Sequence, residues 1–197
     1  MKNLYSEDAF TGLEAAIVLI AFVVVAAVFS YVVLGAGFFT SQTAQATVHT
    51  GVSQASSSME LVGNVYGIAD GAKSRLLYSN VTVALTAGGT PIDLSTMVVS
   101  YNDNNQGHNA NLTYEGEACN HALLGDSPQS WCIVQKINNV TTGAMLDNNA
   151  QMVIAVGLPS TATPNTKISI NFQPAVGAVL PVTRTIPGGL TPVQPIY

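Results

Sequence analysis

From Thr11 to about Val62 the chain shows one long apolar pattern, opening TGLEAAIVLIAFVVVAAVFSYVVLGAGFFT. Ala15 to Phe39 is almost wholly apolar, interrupted only by Ser30 and glycines. Such a run crosses a bilayer as a helix, which needs roughly 20 residues at about 1.5 Å rise each. No proline precedes Pro91, so nothing of that kind kinks it. The pattern then outruns any membrane. Val48, Val52, Ala55, Met59 and Val62 continue it at spacings of three and four, as on one face of a helix. The pattern predicts a helix over residues 10–65, ending near Gly63–Gly67, where Gly63, Asn64 and Gly67 tolerate a left-handed terminus. Thr11 to Val62 would make a rod of roughly 75–80 Å, which needs cover beyond its own domain.

After Lys73 the period changes to two. Asn80–Ala87 places Val81, Val83 and Leu85 on one face, and Met97–Tyr101, Asn111–Tyr114 and Trp131–Ile137 follow. Gln151–Leu158 is more continuously apolar, Lys167–Gln173 alternates through Ile168, Ile170 and Phe172, and Val179–Ile186 is the last clear strand. Short strands between Gly, Pro and Asn turns predict an antiparallel sandwich of immunoglobulin-like architecture over residues 66–197. The fold class is therefore α+β: a long N-terminal helix, then a β-sandwich. The Pro-rich Gly188–Tyr197 segment cannot be a long helix. It is an extended strap on the domain, a contact to a neighbour, or free.

Charge sharpens this picture. No Asp, Glu, Lys or Arg lies between Glu14 and Glu60, and charged residues are only 9% of the chain, with net charge −5. Nothing basic clusters, which excludes nucleic acid as a partner class. A solvent-exposed stalk carries Lys and Glu. The stretch SQTAQATVHTGVSQASSSMEL instead carries hydroxyls and amides, which suits a helix inside a bundle, its hydroxyls bonded to carbonyls and neighbours. His49 reads as a packed, hydrogen-bonded side chain. Small residues, including Gly35 and Gly37, let helices approach closely, and Phe22 and Phe29 fill the spaces between them.

The first residues, MKNLYSEDA, precede the apolar run and do not contain it. A secretory signal is cut after its apolar region. Here the sensible cut lies before it, at Ala9–Phe10, which leaves the helix in the processed chain. The string AFTGLEAAIVLIAFVVVAAVFSYVVLGAGFF resembles the N-terminus of archaeal flagellins (archaellins), within the type IV pilin-like class. The resemblance covers about residues 7–65. It implies a leader over residues 1–9, removed at Ala9–Phe10 by a prepilin-type peptidase. It also puts Glu14 at the fifth position of the processed chain, where type IV pilins carry a glutamate. A carboxylate at the edge of hydrocarbon is costly unless paired. A new α-amine on Phe10, of the same subunit or a neighbour, would supply the partner; the alternative is a Glu solvated at headgroup level.

Candidate chemistry is confined to the outer domain. In an exported domain Cys119 and Cys132 can close a disulfide, worth about 3 kcal/mol for a short loop; the alternative is two buried thiols. Trp131 then reads as a core aromatic packed on the bridge. Asn80, Asn111 and Asn139 each begin an Asn-x-Thr sequon and are candidate glycan acceptors; archaellins are often N-glycosylated, and Asn111 and Asn139 lie nearest to predicted turns or strand ends. The loop Asn102–Asn109 is rich in oxygen ligands but lacks the carboxylate spacing of a calcium loop, and reads as a polar surface turn. No metal site and no cofactor is assigned. No serine sits in a Gly-x-Ser-x-Gly setting, and His49, His108 and His121 have no motif partners, so no residue asks for an enzyme.

The resemblance implies a structural subunit of the archaeal flagellum (archaellum), serving swimming motility. The precursor would sit in the cytoplasmic membrane, and the processed chain would polymerise with itself and sister archaellins, helices in the core and β-domains outside. A rotary motor at the filament base would supply the movement. An adhesive type IV-like pilus subunit shares the core and differs in what the outer domain touches. A membrane-anchored extracellular binding domain would call for a charged juxtamembrane helix, which this chain lacks.

Overall fold

A computed structural model describes residues 4–105, 110–117, 119, 130–139 and 142–197, with residues 4–11 and 110 described by backbone alone. The chain divides into two compact units, Met1–Thr50 and Gly51–Tyr197.

Helix α1 spans Leu4–Ser56, 53 residues, or about 80 Å. It stops short of the Gly63–Gly67 end that the apolar spacing predicts. The cause is the serine run from Ser56 to Ser58. Serine hydroxyls compete for backbone partners and weaken a helix, and Ser56 Oγ donates to Ser53 O at 3.2 Å. The apolar residues beyond obey the sheet. Met59 and Leu61 flank exposed Glu60 with period two, and Met59 is buried opposite Leu85. Gly63 does adopt a left-handed conformation, φ +73°, but in the turn between two strands and not as a helix cap.

The second unit contains β1 (Met59–Leu61), β2 (Val65–Ala69), β3 (Leu76–Leu85), β4 (Ile92–Asp93), β5 (Val98–Asp103), β6 (Ala110–Glu117), β7 (Ser130–Ile137), β8 (Met145–Leu146), β9 (Gln151–Gly157), β10 (Lys167–Gln173), β11 (Leu180–Thr185) and β12 (Val193–Ile196). Ten of these form one sheet in the order β11-β10-β5-β6-β7-β9-β3-β2-β12, with β1 also on β3; β4 pairs β8 separately. All neighbours are antiparallel except β6 and β7, which run parallel. A parallel pair needs a long connection, and the chain between Glu117 and Ser130 supplies the length. The expected sandwich is thus mostly antiparallel, and its two halves are continuous through β6. The sheet folds back on itself, so that Thr185 N–H at the end of β11 donates to Tyr197 C=O beyond β12.

One hydrophobic core lies between the halves. Val81, Val83 and Leu85 face it from β3, Met152 and Ile154 from β9, and Ile168, Ile170 and Phe172 from β10, as the period-two pattern predicts. The strap of residues 188–197 is ordered: β12 pairs β2 with Ile196 opposite Val65, both buried. Strands β1, β2, β4, β8 and β12 are the ones the alternation alone does not predict, being short or proline-bearing.

Phe172 is fully buried, whereas Val98 on β5 is 45% exposed. Phe172→Ala should therefore cost about 3–5 kcal/mol, and Val98→Ala no more than about 0.5 kcal/mol. Equilibrium denaturation of the dispersed subunit, followed by Trp131 fluorescence, measures both. Equal losses would contradict the assigned core.

Candidate assembly surface and modification sites

Every described side chain from Gly12 to Val52 is exposed. The large ones stand well clear of the backbone, Phe22 at 72% and Phe29 at 69% exposure. In water such a surface is untenable, since covering each Val, Leu, Ile or Phe side chain is worth about 1.5–3 kcal/mol. Gly12–Ser56 is long and apolar enough to cross a membrane. Shallow grooves run between its side chains. Glu14, Ala15, Val18, Leu19, Phe22 and Val23 line one; Phe29, Val33, Gly37 and Phe38 belong to another. A Cβ added at Gly35 or Gly37 would meet nothing within 4 Å. Their smallness matters only if another helix comes close.

Four threonines in the polar half of α1 bond their hydroxyls within the helix. Thr40 donates to Ala36 O at 2.8 Å, Thr43 to Phe39 O at 2.9 Å, Thr47 to Thr43 O at 2.9 Å and Thr50 to Ala46 O at 2.8 Å. These bonds to the preceding turn leave the threonine methyls as the outward part of the surface. His49 is exposed among these residues. The Ala9–Phe10 bond falls within the helical backbone, and its side chains lie outside the described residues.

In the outer domain Cys119 and Cys132 are disulfide-bonded, Cα–Cα 6.1 Å. Trp131 is not packed on this bridge, contrary to expectation. Successive strand residues face opposite ways. Trp131 enters the main core and stacks at 4.6 Å on Tyr114. Cys132 faces outward with Ala155, Tyr78, Val134 and Cys119. The disulfide therefore holds Cys119 on the outer face of β7 and β9.

The sequons separate by environment. Asn111 is exposed near the start of β6, opposite Ser100. Asn139 Nδ2, the atom a glycan would take, donates to Met145 O at 2.8 Å. Asn80 lies mid-strand between Tyr66 and Ala155, with its Oδ1 buried.

The polar loop after β5 is put to structural use. Asp103 is buried and accepts from Asn105 N–H at 3.0 Å, from the Tyr101 hydroxyl at 3.3 Å and from the Thr161 hydroxyl. Asn104 Oδ1 accepts from Lys167 N–H at 2.9 Å, and Asn105 Nδ2 donates to Thr166 Oγ1 at 2.8 Å. Residues 106–109 of this loop, including His108, and also His121, lie outside the described residues. Among the described residues no three His, Cys, Asp or Glu side chains converge on a metal position. Burial, followed by the neighbouring Asp103 carboxylate, pushes the Tyr101 hydroxyl well above its ordinary value of 10.0. Tyr101 thus stays protonated and keeps its bond to Asp103. Its contribution to stability is complete below pH 10.0 and is lost as pH climbs toward the folded value. The unfolding midpoint should fall above that pH, and fall less steeply in Tyr101→Phe. Identical slopes in denaturation series across alkaline pH would contradict this.

Comparison with known proteins accords with these features. Residues 9–184 match the model of the archaeal-type flagellin family. The chain is 40% identical over 192 residues to probable flagellin 1 of Archaeoglobus fulgidus, covering 95% of this chain and 94% of that one. Its structure resembles that of the archaeal flagellum of Methanospirillum hungatei strain JF1, with TM-score 0.71 and 32% identity over 94% of this chain and 98% of that one. An archaeal flagellin crystal structure from Methanocaldococcus jannaschii shares the fold, with TM-score 0.57 and 18% identity over 70% and 95% of the two chains.

Proposed function

The chain belongs to the archaeal-type flagellin family, and from that premise we propose how its parts work. It is a structural subunit of the extracellular archaellum filament, the propeller of swimming motility, with helices in the core and β-domains outside. The family is structural, and the subunit acts by polymerising with itself and sister archaellins. The observation that carries this reading is the exposed, uncharged surface of α1 from Ala15 to Val52. It is too apolar for water and too long for a bilayer alone.

The precursor waits in the cytoplasmic membrane, anchored by the apolar part of α1. A prepilin-type peptidase cuts between Ala9 and Phe10, separating residues 1–9. The helix then leaves lipid for the filament, where Phe22 and Phe29 of one copy lie against small positions such as Gly35 and Gly37 of others. Lipid tails are as apolar as leucine, so this exchange is favoured by close packing and not by apolar burial alone. Glu14 pairs with the α-amine freed on Phe10 and so rewards docking at the right depth. The motor at the filament base supplies rotation; the subunit transmits it. Sugar attaches first at Asn111, whose exposure suits it best among the three sequons.

Material sheared from the cell surface should appear as filaments by electron microscopy, with a main protein whose sequence begins Phe10-Thr11-Gly12. An N-terminus at Met1 on a singly dispersed, vesicle-embedded product would overturn the reading. Mass mapping of the same material should find added mass on the peptide holding Asn111. A bare Asn111 beside a modified Asn80 or Asn139 would contradict the assignment. Glu14→Gln should lower filament incorporation roughly tenfold, as for loss of a hydrogen bond to a charged group. Unchanged yield would remove Glu14 from docking.

A further inference from the structure

The chain leaving the helix passes through a built slot in the second unit. Ser57 is buried. Its amide donates to Ser53 O at 2.9 Å, and its carbonyl accepts from Ala178 N–H at 3.2 Å. Its hydroxyl bonds the Thr90 hydroxyl. Ser58 O accepts from Thr86 N–H at 3.0 Å and from the Thr86 hydroxyl at 3.2 Å. Partners thus come from two separate connections, the one after β3 and the one between β10 and β11.

Both walls of the slot are shaped for backbone. A Cβ on Gly177 would lie 1.7 Å from Ser57 O and 2.7 Å from its carbonyl carbon. That contact is to main chain and cannot be relieved by turning a side chain. Gly177 also has φ +118°, where other residues are strained. Opposite it, a Cβ on Gly89 would lie 3.2 Å from Ser56 O and 3.0 Å from Thr86 O. A flexible tether needs none of this. Linkers that swivel are exposed and make few contacts.

We propose that this slot is a clasp, which grips residues 56–58 so that drag on the outer domain is taken up by held main chain and not by a loose tether. The inference rests on the filament-subunit reading, because only a rotating filament puts steady torque across this single covalent link. Thr86, Thr90, Gly177 and Ala178 are the clasp; Ser57 is what it holds.

The test is hydrogen exchange on intact filaments, paired with electron-microscopic reconstruction. In the native filament the Thr86 and Ala178 amides should exchange as slowly as the β3–β9 ladder. Thr90→Val should speed exchange at Ala178 roughly tenfold. Gly177→Ala filaments should keep the helical repeat of the core while the outer-domain density smears. Loop-like exchange at Ala178 in the native filament would overturn the clasp, as would Gly177→Ala filaments with outer domains ordered as before. If Gly177→Ala forms no filament, Thr90→Val decides alone, and native exchange with full outer-domain order in that variant overturns the proposal. Absence of any filament from the native chain would sink the subunit reading instead, and exchange in the dispersed chain would still decide the clasp.

Discussion

A helix surface that its own fold leaves bare must be covered by something else. From Ala15 to Val52 the chain carries no Asp, Glu, Lys or Arg, and every side chain of that stretch is exposed among the described residues. Water cannot wet that surface cheaply, and a bilayer reaches only part of its length. Copies of the same helix can cover all of it. They bring the same small residues and aromatics, and hydroxyls already bonded to their own backbone. The threonine bonds at Thr40, Thr43, Thr47 and Thr50 matter for this reason. They lower the polar demand of this half of the helix at those four positions.

The outer domain has the opposite economy. Its sheet folds until β11 and β12 meet, one core fills the interior, and the disulfide holds chain on the outer face. Buried Asp103 has donors from two loops and from Tyr101. The chain passes from α1 into this domain through the slot around Ser57.

Much of this was legible in the residues because the strongest signals were long. The uncharged run from Ala15 marks a long helix that needs cover, and the alternation of Ile168, Ile170 and Phe172 marks a half-buried strand. The resemblance of about residues 7–65 to archaellins pointed to the function that the family match bears out. Three features were misread, each where a local pattern served two masters. Met59 fits both a helical and a strand period, and the serine run with the Leu85 contact decided for the sheet. Trp131 and Cys132 are neighbours in sequence but face opposite sides of the sheet. The parallel pairing of β6 with β7 depends on topology, which alternation does not encode. The slot at Ser57 was invisible beforehand, since Gly177 and Thr90 are far from it in sequence.

The claim beneath all of this is that identical helices shield one another along their full length. Hydroxyl-radical footprinting of Val33 to Val52 tests it most directly, comparing intact filaments with detergent-dispersed subunits. The account predicts strong protection of Phe38, Phe39, Val48 and His49 in the filament, lost on dispersal. Equal labelling of these residues in both states would show the helix bathed in water after assembly, and would contradict it.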